Sequence, residues 1–273
     1  MLNPYPLPVG HVYTMRPVSI DRDQQLAKLA ASGIDPDVHG NRLDLTFLGL
    51  PILDALTERG VPLQGQVHVY QRFIQQAPIT LDAKLFMRGE ITTIEKVAKG
   101  EVVRWVFEFS DDTGRKLVTI DRAGLRPLQK GGEAKSTGGG NGGGGATDFL
   151  APPDENQAGF GEFWQRTLVP EEVAKYSSDG RNKIHSDPEI ARQFGFRAPI
   201  AAGLMGVHYY LEAMARHGAR DALDIEIWFK RPMFWDETLT LRHRNIDGAL
   251  IAMRIENQAG KAASLARVNA APG

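Results

Sequence analysis

Apolar residues recur along the chain in two different rhythms, and each rhythm appears twice. In GLMGVHYYLEAMARHG (203–218), Leu204, Val207, Leu211 and Met214 fall at steps of three, four and three. That spacing puts them on one face of a helix, and Gly218 is placed to end it. LGLPILDALTERG (48–60) repeats the theme with Leu48, Ile52 and Leu56, closed by Gly60. Pro51 is compatible with the first turn of such a helix. SIDRDQQLAKLAASG (19–33) predicts a further amphipathic helix, and VPEEVAKY (169–176) opens another.

The second rhythm is that of strands. VYQRFIQQAPITLDAKLFMRG leads into VVRWVFEFSDDTGRKLVTIDRAGL, and IEIWFKRPMFWDETLTLRHRN leads into ALIAMRIENQAGKAASLARVNA. Each passage carries an aromatic strand, a proline, an acidic turn and an alternating strand. A hairpin then follows through D-D-T-G (111–114) or N-Q-A-G (257–260). Gly114 and Gly260 supply the positive φ that such turns need. The order is helix, then about four antiparallel strands, twice. This predicts a duplicated α+β fold.

Between the copies lies GGEAKSTGGGNGGGG (131–145). A tract of this composition buries too little apolar surface to offset its backbone entropy, so it reads as a linker. The expected division is an N-terminal unit over 1–130, a linker over 131–148 and a C-terminal unit over 149–273. Gly138, Gly140 and Gly143 form a chance G-x-G-x-x-G. The motif lacks the flanking strand and helix that a dinucleotide site requires.

Composition narrows the chemistry. With 42% hydrophobic and 24% charged residues the chain is globular, and its formal net charge of -1 supplies no field for nucleic acid or an anionic membrane. There is no cysteine, which excludes disulfides, thiolate nucleophiles and thiolate metal sites. No signal-peptide pattern and no apolar run of about 18 residues is present, so the expectation is a soluble cytoplasmic protein. His11, His39, His68, His217 and His243 share no metal-ligand spacing, and no metal or cofactor is expected.

The polar residues with a chemical pattern fall in 176–206. Tyr176 is followed by S-S-D-G-R-N-K-I-H-S-D, then A-R-Q-F-G-F, then P-I-A-A-G-L. Asp187 or Ser186 with Pro188 predicts a short capped helix ended by Gly195. Pro199 then leads to the start of the long helix, where the N–H groups of Gly203 and Leu204 are free to meet a negative charge. This segment resembles the signature of the MaoC-like dehydratases, or (R)-specific enoyl-CoA hydratases. Their pattern runs S-G-D-x-N-P-[IL]-H-x-D, A-x-x-x-G-F, P-I-x-H-G-[LM]. The likeness covers about thirty residues and extends loosely over both halves.

The resemblance implies a double hotdog, two antiparallel sheets each wrapped around a long helix and joined side by side. It implies hydration of 2-enoyl-CoA, or dehydration of 3-hydroxyacyl-CoA, with no cofactor beyond the coenzyme A thioester itself. Carried over by position, His185 is the general acid/base, Asn182 orients the water, and Gly203 with Leu204 stabilises the thioester oxygen. The acid departs from the pattern. The family's Asp position falls on Gly180, and Asp179 stands one place earlier: either the shorter loop brings Asp179 into the site, or the acid is lost and the chemistry is changed or gone. Ala202 replaces the usual His before the glycine.

Read singly, these residues have plainer roles. Asp179-Gly180 is a common turn, Asn182 a turn cap, His185 a packed histidine, Asp187 a helix cap and His208 a helix-face or core residue. Arg181, Lys183, Arg192 and Arg197 form a basic cluster suited to the phosphates of CoA, or an ordinary solvated face. Phe194, Phe196, Trp228, Phe229, Phe234 and Trp235 suit an acyl pocket or the sheet core. The first half has no comparable cluster. Asp35, Asp37, His39 and Asn41 read as a loop, so this half is expected to complete the pocket without a site of its own. A homodimer is a possible assembly. Two other readings stand beside the hydratase: a hotdog thioesterase and a non-catalytic acyl-CoA-binding subunit.

Overall fold

The computed structural model describes residues 3–128, 147–179 and 181–271. The Gly-rich tract 131–145 lies outside the described residues. Among the described residues, ten strands form one antiparallel sheet: β1 Val12–Val18, β2 Val67–Gln75, β3 Leu85–Val97, β4 Gly100–Ser110, β5 Lys116–Pro127, β6 Gly161–Thr167, β7 Leu223–Phe229, β8 Thr238–Ile246, β9 Ala249–Glu256 and β10 Ala262–Ala270. Their order is β1-β3-β4-β5-β2-β7-β10-β9-β8-β6. The order from β2 outward matches the order from β7 outward, so the duplication read in the sequence is a duplication in space. This is the double hotdog.

Each half begins with a strand that the hydrophobic pattern did not predict. β1 (VYTMRPV) buries only Tyr13 fully, and β6 (GEFWQRT) has no fully buried residue. Both are edge strands, β1 on β3 and β6 on β8, so they lack the alternation that marks a half-buried strand. Pro17 is tolerated because an edge leaves one row of N–H groups unpaired. The remaining strands follow the expected order. Gly114 and Gly260 turn the two hairpins at φ +82° and +69°.

Among the described residues, five α-helices accompany the sheet: α1 Arg22–Ala31, α2 Gly49–Glu58, α3 Pro170–Tyr176, α4 Pro188–Gln193 and α5 Gly203–Arg216. Pro51 lies in the first turn of α2. In α5 the expectation of a single apolar face is too narrow, for every residue from Leu204 to Ala215 is buried. The helix lies beneath its own strands and against the other half. Several of its polar groups are paired internally, while the Tyr209 hydroxyl is buried without a partner. His208 Nδ1 is 2.6 Å from Asp44 Oδ2, Glu212 accepts from Arg166 at 2.8 Å, and the Tyr210 hydroxyl lies 2.8 Å from Ser264 Oγ. His208 is thus a core residue facing the N-terminal half.

The halves join through β2 and β7, antiparallel from Tyr70 opposite Trp228 to Gln75 opposite Leu223. Arg72 makes a bidentate pair with Asp224 at 2.9 and 2.7 Å, and the Tyr70 hydroxyl donates to Glu226 at 2.9 Å. A 3₁₀ turn at Asp148–Leu150 seats Phe149 over this seam. Its carbonyl accepts from Trp228 Nε1 at 2.8 Å, and its ring meets Tyr70 edge-on. Among the described residues, no helix is long and apolar enough to cross a membrane.

Candidate functional site

The segment after α3 is short because each piece is pinned. Asp187 caps α4 by accepting from the N–H groups of Glu189 (2.8 Å) and Ile190 (3.1 Å), and Gly195 leaves the helix at φ +84°. A 3₁₀ turn, Lys183–His185, precedes α4. It is locked to the strand-like stretch before α5 by two bonds: Ile200 N–H donates to the Ile184 carbonyl at 3.2 Å, and His185 Nδ1 lies 2.9 Å from the Ile200 carbonyl oxygen. A carbonyl oxygen only accepts, so Nδ1 carries the proton and Nε2 is left with the lone pair. His185 lines a cavity of about 260 Å³. Burial lowers its pKa below the ordinary histidine value, and the Ile200 carbonyl and the Asp179 carboxylate offset this in part.

Asp179 lines the same cavity. One of its oxygens accepts from the Arg181 N–H at 3.3 Å and the other from the Arg181 guanidinium at 3.2 Å, and the side chain is about one-third exposed. The plainer turn and the cavity-facing acid are therefore both present. Arg181 also binds Asp54 of α2 at 2.7 Å. Gly180, on the family's acid position, lies outside the described residues.

Asn182 is committed to the other half of the molecule. Its Oδ1 accepts from Gly65 N–H (3.0 Å) and Gln64 Nε2 (3.3 Å), while its Nδ2 donates to the Gln66 carbonyl (3.0 Å). Lys183 N–H adds a bond to Gln64 Oε1 at 3.1 Å. The turn at 64–66 is thus stapled onto the motif. Gly65 is required there: its φ is +76°, and a Cβ would stand 1.8 Å from the Phe194 ring.

The start of α5 completes the wall. Ala202 at the N-cap offers no side-chain acceptor. The N–H groups of Gly203 and Leu204 are first-turn donors without an intrahelical partner, and both residues line the cavity. A side chain at Gly203 would meet His68 of β2, with Cβ only 2.5 Å from the His68 Cβ. The site therefore lies between the halves. Leu50, Leu53, Leu63 and His68 come from the first, and Phe196, Phe229 and Met233 from the second.

Other candidates are distributed differently. Of the six aromatics, Phe196 and Phe229 line the cavity. Phe194 packs on Gly65, Trp228 faces the opposite side of the sheet with Tyr70, and the Phe234 ring lies under the Arg197 guanidinium at 4.0 Å. Trp235 packs against the main core. The basic cluster is divided: Arg181 pairs with Asp54 and Asp179, Arg192 with Glu189, and Arg197 with Asp236 and Glu237. These three guanidiniums are already neutralised, and the cluster is not a single phosphate cradle.

In the first half, residues Pro36–His39 form a 3₁₀ turn rather than a loop. It stands between α1 and α2 as Lys183–His185 stands between α3 and α5, and it too ends in histidine. His39 is drawn into the core instead, with Nε2 3.3 Å from Asp44. Among the polar cavity residues that the sequence did not assign to the site are Gln66, His68 and Arg122. For Arg122 the available signal was a charged residue inside a strand whose neighbours are buried, as in TIDRAG; Gln66 precedes β2 and His68 has half-buried neighbours, so neither carried one.

No family model matches the sequence, and no curated protein matches it. Solved structures match in fold. HtdX from Mycobacterium tuberculosis aligns with a TM-score of 0.72 at 21% identity, over 94% of this chain and 99% of that one. A MaoC-like dehydratase from Phytophthora capsici gives 0.67 at 16% identity, over 97% of both chains. An acyl-ACP thioesterase from Bacteroides thetaiotaomicron gives 0.56 at 9% identity, over 94% and 96%.

Proposed function

We propose that the protein is a hydratase/dehydratase interconverting 2-enoyl-CoA and 3-hydroxyacyl-CoA. The observation that carries this reading is the fixed tautomer of His185. Its Nδ1 is bound to the Ile200 carbonyl, and its free Nε2 belongs to a cavity that also holds Asp179 and the uncapped start of α5.

In the hydration direction, a water lies between His185 Nε2 and the Asp179 carboxylate. His185 Nε2 takes a proton from the water as its oxygen bonds to Cβ. The C=C π pair moves onto the Cα–carbonyl unit, and the thioester oxygen gains enolate character. The N–H groups of Gly203 and Leu204 receive that oxygen. The His185 imidazolium then returns a proton to Cα, so the net change is addition of one water. Dehydration is the reverse. Burial, which disfavours the imidazolium, keeps His185 neutral and ready to act as base near neutral pH. Asn182 acts on position, holding the 64–66 turn of the first half against the motif. The chemistry requires no metal ion or cofactor, and the CoA thioester is substrate.

The fold shared with an acyl-ACP thioesterase favours one second reading, in which Asp179 activates water against the thioester carbonyl. Its two bonds to Arg181 weigh against that role. Crotonyl-CoA separates the two. Loss of the conjugated enoyl absorbance without release of thiol supports the hydratase. Release of free CoA thiol overturns it.

A further inference from the structure

The inner face of the N-terminal sheet holds a buried guanidinium without a counterion among the described residues. Arg122 lies on β5, opposite Gln71 of β2 and Trp105 of β4. It is 5% exposed, and its Nε and one terminal nitrogen are buried without a hydrogen-bond partner. The other sheet arginines are treated differently. Arg72 binds Asp224, Arg104 binds Asp121, and Arg126 binds Glu101. Asp121, next to Arg122 in sequence, lies on the opposite face of the strand and serves Arg104. Burial lowers the Arg122 pKa to about 10, opposed only by the Tyr5 phenol.

An uncompensated buried charge is costly and is retained only where something meets it. Arg122 lines the same cavity as His185 and Gly203. Gln66 Nε2 and His68 Nε2, also on that wall, are buried without partners. Gly124 lies two residues from Arg122 on the same face of β5, about 7 Å along the strand, and stands opposite His68. His68 in turn touches Gly203. The polar wall therefore begins beside the oxyanion donors and ends at Arg122, within reach of a short acyl chain.

We propose that this wall receives a carboxylate at the far end of the acyl group, so that the substrate class is a short acyl-CoA ending in a carboxylate. The proposal rests on the acyl-CoA reading above. The carboxylate would take the fork of donors that Arg122 presents, an arrangement a methyl-ended chain leaves unpaired. The alternative anion, a phosphate of CoA, is less suited. Arg122 is enclosed under Trp105, 6.0 Å from its ring, whereas the nucleotide end of CoA is bulky and solvated.

The test is direct binding of glutaryl-CoA, valeryl-CoA and CoA by titration calorimetry. The two acyl-CoAs have equal chain length and are saturated, so neither can be hydrated. The wild type is expected to bind glutaryl-CoA about tenfold or more tightly than valeryl-CoA. Arg122→Met should abolish or reverse that preference and leave CoA itself unchanged. Because it removes an unpaired buried charge, Arg122→Met should also melt no lower than the wild type. Arg122→Lys, which keeps the charge but not the fork, should retain part of the preference. Equal affinities in the wild type overturn the proposal. So does an equal loss for all three ligands in Arg122→Met, which would mark a phosphate contact. If none of the three binds, the acyl-CoA reading fails and takes the proposal with it. If the glutaryl preference holds while crotonyl-CoA and glutaconyl-CoA are not hydrated, only the hydratase reading fails.

Discussion

His185 and Ile200, fifteen residues apart, are joined by a hydrogen bond of 2.9 Å from the imidazole Nδ1–H to the carbonyl oxygen. The bond selects the tautomer and aims Nε2, as a positioned general base requires. His185→Ala should fold and lose turnover by a factor of about 10² or more. The pH profile gives a second readout. Burial lowers the His185 pKa, and the base form must be neutral. The acid limb of kcat/KM should therefore lie below the ordinary histidine value of about 6.5, with a flat profile through neutrality. A limb at or above that value would mean that the imidazolium is favoured, contrary to the burial seen.

Asp179 lines the cavity while both of its oxygens accept from Arg181. Asp179→Asn keeps the shape and removes the charge. Turnover on an enoyl-CoA should fall about 10- to 100-fold. The melting temperature should move little, because a partly exposed ion pair contributes about 0–1 kcal/mol. Arg181→Gln is the companion variant. It removes the cation but leaves Asp179, so it should alter KM more than kcat. Equal losses in kcat for both variants would reduce Asp179 to an anchor for Arg181.

The elements legible from the sequence are those whose signals are local. The two hairpins follow from Asp/Asn with Gly114 and Gly260, the α4 cap from Asp187 and Pro188, and the α5 stop from Gly218. β1 and β6 were not legible because an edge strand buries too little to alternate. Nor was the full burial of α5, since its outer face is covered by a half that precedes it by some 150 residues. The motif placed His185 and the α5 N-terminus at one cavity, but not the partners of Asn182, which lie 116 to 118 residues away. Gln66, His68 and Arg122 share a cavity with the motif only because β2 meets β7. No spacing along the chain encodes that meeting.

Gly203 is fixed by a neighbour as well as by its N–H. Gly203→Ala would place Cβ 2.5 Å from the His68 Cβ. Either the helix start or β2 must shift, and strain of this kind costs about 1–3 kcal/mol. Both stability and turnover should fall. His68→Gly in the same chain removes both the Cβ and the ring in conflict, so the double variant should regain stability relative to the sum of the two single changes. The coupling energy from the four proteins is the measurement. Strict additivity would show that the two residues do not touch.

Asp44 holds the halves together from the inside. It is buried, lies 2.6 Å from His208 and 3.3 Å from His39, and caps the 3₁₀ turn Leu45–Leu48 through the Thr46 N–H at 2.8 Å. Burial pushes its pKa up, but attraction and hydrogen bonds from His208 and His39 outweigh this and hold it well below the usual carboxylate range. A folded-state value below the unfolded one contributes stability that is full above the unfolded pKa, near 3.9, and is lost as pH falls through the folded value. Asp44→Asn should therefore flatten the acid arm of the stability profile below about pH 4. At neutral pH it should cost about 2 kcal/mol or more, the scale of a buried bond to a charged group. Chemical denaturation across pH checks both. An unchanged acid arm would show that other carboxylates govern acid unfolding.

The final prediction concerns the seam itself. The C-terminal half, residues 149–273, keeps its own five strands but loses every partner of β7 on the β2 side. Six residue pairs from Tyr70–Trp228 to Gln75–Leu223 would open a row of backbone donors and acceptors. Asp224 would lose Arg72, and His208 would lose Asp44. Leu204, whose side chain fills the space above Gly49, would face solvent. An open central edge beside an exposed apolar helix is an invitation to self-association. Expressed alone, this half should aggregate, or pair with a second copy through β7. Supplying residues 1–128 in the same cells should return a one-to-one soluble complex, because the β2–β7 pairs come from the two halves themselves. Light scattering on the purified species distinguishes these states. A C-terminal half that is monomeric, cooperatively folded and able to hydrate enoyl-CoA by itself would show that the first half is dispensable to the site. The Asn182 clamp on Gln64–Gln66, the contact of His68 with Gly203 and the Arg122 wall would then all be incidental to catalysis.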